Sequence, residues 1–136
     1  MKLLTQIKIA KAVPQADLYR DFFAYLLLNH PTSNTGCLTV AIEARSLSFG
    51  GDCVPFICAT LNTQIRVFAG KPQWPCTTTE VLRILAHEYR HALQFDLMEN
   101  VLTKSDYSQA REDDADAFAA QVVPEFISKY NLDRAA

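Results

Sequence analysis

A short motif on one predicted helix gives this chain its clearest chemical signal. Residues 87–91 read His-Glu-Tyr-Arg-His, so two of the three histidines in the chain are four positions apart, with a glutamate directly after the first. On an α-helix, side chains at i and i+4 lie on one face, about 5–6 Å apart. His87 and His91 can therefore bind one Zn²⁺ ion. Glu88 would flank the metal, where it can take a proton from a zinc-bound water.

Local signals mark the helix that carries these residues. Residues 77–80 match a capping box, with Thr77 as the N-cap. Apolar residues then recur at helical spacing, which predicts a helix that runs to about Met98. His87 and His91 lie at the edge of the apolar stripe. We therefore expect the pair at the border of the hydrophobic core.

A second predicted helix, beginning near residues 105–108, offers the third protein ligand that an open catalytic zinc site needs. It carries four carboxylates, Glu112, Asp113, Asp114 and Asp116. Glu112 and Asp116 share a helix face with two alanines, which allow a neighbouring helix to approach closely. We predict Glu112 as the ligand, and Asp116 as the acceptor of the free ring N–H of a liganding histidine. Asp114 stays the alternative ligand if the helix phase differs by a residue or two.

The flanks of this second helix carry two further predictions. Tyr107 directly precedes the helix and is a candidate donor to a tetrahedral oxyanion beside the metal. Pro124 predicts that the helix ends or kinks there, because proline lacks the N–H that a helix interior needs. A short last helix would then end near Tyr130.

The first half of the chain predicts one helix and a small sheet. The first thirteen residues suit either a strand or a helix, and the pattern after Pro14 predicts a helix from Gln15 to Asn29. Residues 37–70 are rich in β-formers and turn signals. The predicted strands are Cys37–Ile42, Val54–Ala59 and Gln64–Ala69, with turns or bends at Gly50–Asp52 and Leu61–Thr63. We expect a mostly antiparallel sheet and an α+β fold.

Composition limits the class of protein. The chain has 136 residues, of which 49% are hydrophobic and 21% charged, which predicts one soluble globular domain spanning residues 1–136. The net charge of −2 without a basic stripe argues against nucleic-acid binding. The most apolar run, Phe22–Leu28, is too short to span a membrane.

Location and cysteine chemistry are predicted together. The N-terminal segment lacks the pattern of a signal peptide, so we expect a cytoplasmic protein whose four cysteines are reduced thiols. A second zinc site built on Cys53 and Cys58 is the weaker alternative, since their spacing is wider than that of the usual zinc-binding pairs.

The motif and the acidic helix together resemble a known family. Residues 87–91, followed by Glu-Asp-Asp-Ala-Asp at 112–116, look like the HExxH…ExxAD arrangement of gluzincin metallopeptidases. The continuation through residues 115–125, Ala-Asp-Ala-Phe-Ala-Ala-Gln-Val-Val-Pro-Glu, further resembles the ImmA/IrrE group. The similar stretch covers residues 77–125.

The resemblance implies a single zincin-like domain with an N-terminal helix, a small sheet, an active-site helix and a C-terminal ligand helix. It implies one Zn²⁺ per chain on His87, His91 and Glu112, with Glu88 as the general base of a peptidase. A peptide or protein would be the substrate, and an edge strand such as Gln64–Ala69 could pair with it. The alternative hypothesis is a catalytically silent zinc-binding module that regulates or holds a partner peptide.

Overall fold

The computed structural model describes residues 4–32, 37–44, 51–56, 62–69, 77–96 and 109–135. Its strands are β1 (Leu4–Ile9), β2 (Cys37–Glu43), β3 (Gly51–Phe56) and β4 (Asn62–Phe68). Its helices are α1 (Ala16–Asn29), α2 (Thr78–Asp96) and α3 (Gln109–Ala135). The prediction of a mixed fold of helices and strands is therefore confirmed. None of the described helices combines the length and apolar character needed to cross a membrane.

The described strands form one sheet in the order β1-β2-β4-β3. β1 pairs with β2 and β2 pairs with β4 in parallel, whereas β3 pairs with β4 antiparallel. The prediction of a mostly antiparallel sheet is wrong. The chain passes through α1 between β1 and β2, which permits parallel neighbours, and β3 provides the return path that lets β4 run alongside β2 in the same direction.

The position of β4 also corrects the prediction for the substrate-binding edge. Gln64 pairs with β2 on one side and with β3 on the other, so the predicted edge strand lies inside the sheet. The outer strand on that side is β3. β3 includes Gly51 and Asp52, which the sequence assigns to a turn. Thr63, which the sequence assigns to a bend, belongs to β4. Residues 57–59 of the predicted strand Val54–Ala59 lie outside the described residues.

One face of the sheet packs against the helices. In β2 the buried side chains alternate with less buried ones, and in β4 Ile65 and Val67 are fully buried. All three helices contribute to the same hydrophobic core. The buried residues of β2 are Leu38, Val40 and Ile42. Alternation of this kind indicates a sheet with one covered face, and it does not by itself fix the strand direction.

The start of α2 agrees with its predicted cap. The backbone N–H of Glu80 donates to Thr77 Oγ1 at 3.2 Å, which satisfies one of the unpaired donors of the first turn. The helix α3 differs from its prediction, because it continues through Pro124 to Ala135. Pro124 is exposed, so its ring faces away from the core. The predicted helix end at Pro124 is therefore wrong.

Buried contacts with α1 fix the position of α2. The hydroxyl of Tyr89 donates to the carbonyl oxygen of His30 at 2.6 Å, and its ring meets that of Phe23 edge-on. Phe22 contacts Phe126 of α3 with ring centroids 4.9 Å apart. Aromatic pairs of this kind add about 0.5–1.5 kcal/mol beyond the burial of their area. These side chains thus pack the three helices against one another.

Leu85 lies in the buried stripe of α2 and is 0% exposed, whereas Leu28 of α1 is 78% exposed. We expect Leu85→Ala to lower the free energy of unfolding by about 2–5 kcal/mol, since it leaves a cavity in the core. Leu28→Ala should change it by about 0.5 kcal/mol or less. Urea denaturation of both variants measures the difference. Equal losses from the two substitutions would contradict this arrangement of the core.

Candidate metal centre

The two histidines of α2 direct the same ring nitrogen towards each other. Nε2 of His87 lies 3.1 Å from Nε2 of His91, and the two rings meet edge-on with centroids 4.7 Å apart. The i, i+4 spacing brings the rings side by side on one helix face. Both side chains are partly exposed, at 21% for His87 and 14% for His91. The pair therefore lies at the border of the core and is reachable from solvent.

Glu112 of α3 completes a three-residue cluster. Its Oε2 lies 2.5 Å from Nε2 of His91 and 3.5 Å from Nε2 of His87. The ligand atoms of all three residues lie within 4.8 Å of one another. Ligand atoms at tetrahedral angles around zinc, at about 2.0–2.1 Å from it, are separated by about 3.3 Å. Two of the three separations are close to this value. The distance from Nε2 of His91 to Oε2 of Glu112 would have to lengthen by less than about 1 Å to reach it.

Each histidine also contacts an acceptor on its outer nitrogen. Nδ1 of His87 lies 2.8 Å from Oδ1 of Asp116, and Nδ1 of His91 lies 2.8 Å from Oε1 of Gln94. An acceptor at Nδ1 favours the tautomer that carries its proton there. The lone pair of Nε2 is then directed towards the cluster. Such outer hydrogen bonds orient metal-binding histidines and increase their basicity.

Asp114, the alternative ligand, has a different partner. Its carboxylate accepts two hydrogen bonds from the guanidinium of Arg90, at 2.7 and 3.3 Å, and a third from Gln94 at 2.9 Å. The hydrogen bonds from Arg90, followed by that from Gln94, lower the pKa of Asp114. Arg90 also lies over the ring of Phe118 at 5.2 Å. Asp114 thus joins α2 to α3 and is not a member of the cluster.

Glu88 is one of two polar residues buried among those described, and it is 6% exposed. It follows His87 directly in α2, so its Cα is adjacent to that of a candidate ligand. The three candidate ligands are more exposed than Glu88. The carboxylate is therefore largely shielded from bulk water, next to the first candidate ligand in sequence.

The structure brings together most of the residues that the sequence singles out. His87, His91 and Glu112 form the cluster, and Asp116 contacts His87. Tyr107 lies outside the described residues, as do Cys58 and Cys76. Sequence reasoning missed Gln94 as a contact of His91. The available signal was its position one turn after His91, since residues three apart on a helix are neighbours.

Comparison with known proteins adds no relative. No family model matches the chain, and no curated protein or solved structure matches it. The resemblance to gluzincins stays a prediction carried by residues 87–91 and 112–125. A function for this protein therefore depends on the chemistry of the site itself.

Proposed function

We propose that this protein is a zinc-dependent metallopeptidase with a zincin-like fold and one Zn²⁺ per chain, held by His87, His91 and Glu112. The observation that carries the proposal is the convergence of their three ligand atoms within 4.8 Å. Two imidazoles and one carboxylate form the ligand set of a well-known class of catalytic zinc sites. The hydrogen bonds at both Nδ1 atoms support the same use of the site, because they leave both Nε2 atoms available as ligands.

The three ligands favour zinc over magnesium and calcium, and they favour a catalytic zinc site over a structural one. Imidazole nitrogen suits zinc and other transition metals, whereas magnesium and calcium prefer oxygen ligands. Among the described residues, the cluster holds three ligands, and structural zinc sites have four from the protein. The partial exposure of the three ligands leaves room for water and substrate.

Glu88 is the proposed general base. Bound zinc lowers the pKa of water towards about 7 and polarises a carbonyl group. The buried carboxylate of Glu88 would accept the proton of the attacking water and then deliver it to the leaving amine. A purely structural metal site has no use for a buried glutamate next to its first ligand.

The sheet offers a place for an extended substrate. β3 is the outer strand and has β4 as its single neighbour in the described sheet, and α2 packs against both strands. A peptide added at the outer edge of β3 would hydrogen-bond to its backbone. That edge is on the side of the sheet nearest the helix that carries His87 and His91. We therefore assign the substrate-binding edge to β3.

Metal analysis combined with a peptide-library digest tests the proposal. We expect purified protein to hold close to one zinc per chain, to cleave part of the library, to lose cleavage after chelation and to regain it on adding zinc. Zinc content below a tenth of this value would overturn the metal claim. Full zinc content without cleavage of any peptide would reject the peptidase and favour the silent binding module.

A further inference from the structure

Gln94 connects one candidate ligand to the helix that carries another. Its Oε1 lies 2.8 Å from Nδ1 of His91. Its Nε2 donates to the carbonyl oxygen of Arg111 at 3.0 Å and to Oδ2 of Asp114 at 2.9 Å. Arg111 and Asp114 flank Glu112 in the first turns of α3. One side chain therefore contacts a histidine of α2 and residues on either side of Glu112 in the sequence of α3.

The partners of Gln94 determine which way its amide group faces. A backbone carbonyl and a carboxylate paired with arginine are both acceptors, so the group between them must be the NH₂ of the amide. Oε1 is then directed at His91 and can only accept. Nδ1 of His91 must consequently donate, so that Nε2, the nitrogen that faces Glu112, is the one left to bind a metal ion.

Arg90 supports this arrangement by holding Asp114, one of the two acceptors of the Gln94 amide. Its guanidinium binds both carboxylate oxygens of Asp114, and it lies over the ring of Phe118. A two-bond arginine–carboxylate pair is more strictly oriented than a single contact. Asp114 is thereby held where it accepts from Gln94. His87 differs, since its Nδ1 partner is Asp116, whose side chain is 72% exposed.

We propose that Gln94 is a positioning residue of the metal site, which sets the tautomer of His91 and couples its orientation to the part of α3 that carries Glu112. The inference builds on the proposed zinc site. Its action is indirect, because Gln94 would not touch the metal or the substrate. Loss of an orienting partner of a metal ligand typically weakens metal affinity 10–100-fold.

The tautomer is measurable without any metal. Long-range ¹H–¹⁵N NMR of the zinc-free protein should show a proton on Nδ1 of His91, the nitrogen that faces Oε1 of Gln94. Gln94→Leu removes all three hydrogen bonds at similar side-chain size, so His91 should change towards the Nε2–H form that free imidazole side chains favour. Gln94→Glu keeps an acceptor at Nδ1 and should keep the proton there, although it loses both hydrogen bonds to α3. A wild-type His91 without a proton on Nδ1 overturns the proposal, even if a variant fails to fold.

Zinc affinity gives the second readout. Chelator competition should give a Kd for Gln94→Leu that is about 10–100-fold above the wild-type value. Gln121→Leu is the matched control, since Gln121 is an exposed glutamine of α3 that contacts Glu125. Equal Kd values for Gln94→Leu and the wild type would overturn the role of Gln94. Failure of the wild type to bind zinc would instead reject the metal site, and the NMR result would still stand.

Discussion

Replacing Glu88 by glutamine is expected to lower peptide hydrolysis about 10²–10⁴-fold, the usual contribution of a general acid–base group. The amide of glutamine has nearly the same shape as the carboxylate but cannot accept a proton from water at neutral pH. Glu88 is buried, and glutamine fills nearly the same volume. The substitution therefore tests the chemistry of the carboxylate with little change in packing. Initial rates on the best peptide from the library digest measure the effect.

The metal content of this variant is the necessary companion measurement. Glu88 is not a member of the three-residue cluster, so Glu88→Gln should retain close to one zinc per chain. A loss of zinc together with activity would place Glu88 among the groups that hold the metal. Equal cleavage by both proteins would reject Glu88 as the general base.

Glu80→Gln is a matched control on the same helix. Glu80 is exposed in the first turn of α2, and glutamine at this position of a capping box is compatible with the same backbone. We expect its rate and zinc content to match those of the wild type. A similar loss of activity in both variants would indicate a general effect of removing a negative charge from α2.

The helices and the cluster could be predicted from sequence because their signals are local. The capping box at Thr77 and the apolar stripe define α2 within one segment, and the i, i+4 spacing alone pairs His87 with His91. Glu112 follows from the phase of α3 relative to its two buried alanines, Ala115 and Ala119. Each of these inferences requires only the geometry of a single helix.

The direction of the strands could not be predicted in this way. Alternating burial in β2 is consistent with either direction, since it requires only that one face of the sheet be covered. β2 pairs with β4 although β3 lies between them in the sequence, so this pairing is a non-local property of the chain. Pro124 is a comparable case, because tertiary packing of α3 outweighs the local tendency of proline to end a helix.

The contacts of Asp114 show a further limit of sequence reasoning. Glu112 and Asp114 are only two residues apart on α3. A small error in the predicted phase of the helix would therefore exchange them as ligand candidates. The separation becomes clear only when Arg90 of α2 is seen to bind Asp114. Arg90 lies next to His91 in sequence, but its partner is on another helix, and no local pattern specifies that pair.

Zinc is expected to stabilise the protein strongly against heat, since its proposed ligands come from two helices. His87 and His91 belong to α2 and Glu112 to α3, so a bound ion would cross-link elements that separate on unfolding. Free zinc at 100 times its Kd adds about 2.7 kcal/mol to the folded state. With an unfolding entropy of about 2.1 cal/mol/K per residue, this raises the Tm by about 9 °C. Differential scanning calorimetry with and without zinc measures the shift.

Removing one ligand should nearly abolish this stabilisation. If Glu112→Gln weakens binding 100-fold, the same zinc concentration adds only about 0.4 kcal/mol, a rise in Tm of about 1.5 °C. Asp113→Asn is the matched control, because Asp113 is an exposed neighbour that accepts a hydrogen bond from Gln109. Its zinc-dependent shift should match that of the wild type. Magnesium should shift none of the three proteins, since two of the ligands are imidazoles.

Asp114→Asn separates the two carboxylates that the sequence alone leaves as ligand candidates. Because Asp114 binds Arg90 and Gln94, its loss should lower the Tm of the zinc-free protein by weakening the contact between α2 and α3. Most of the zinc-dependent rise should remain, since Glu112 still faces both Nε2 atoms. The reverse pattern, with the rise lost in Asp114→Asn and kept in Glu112→Gln, would assign the ligand to Asp114 and reject the cluster of His87, His91 and Glu112.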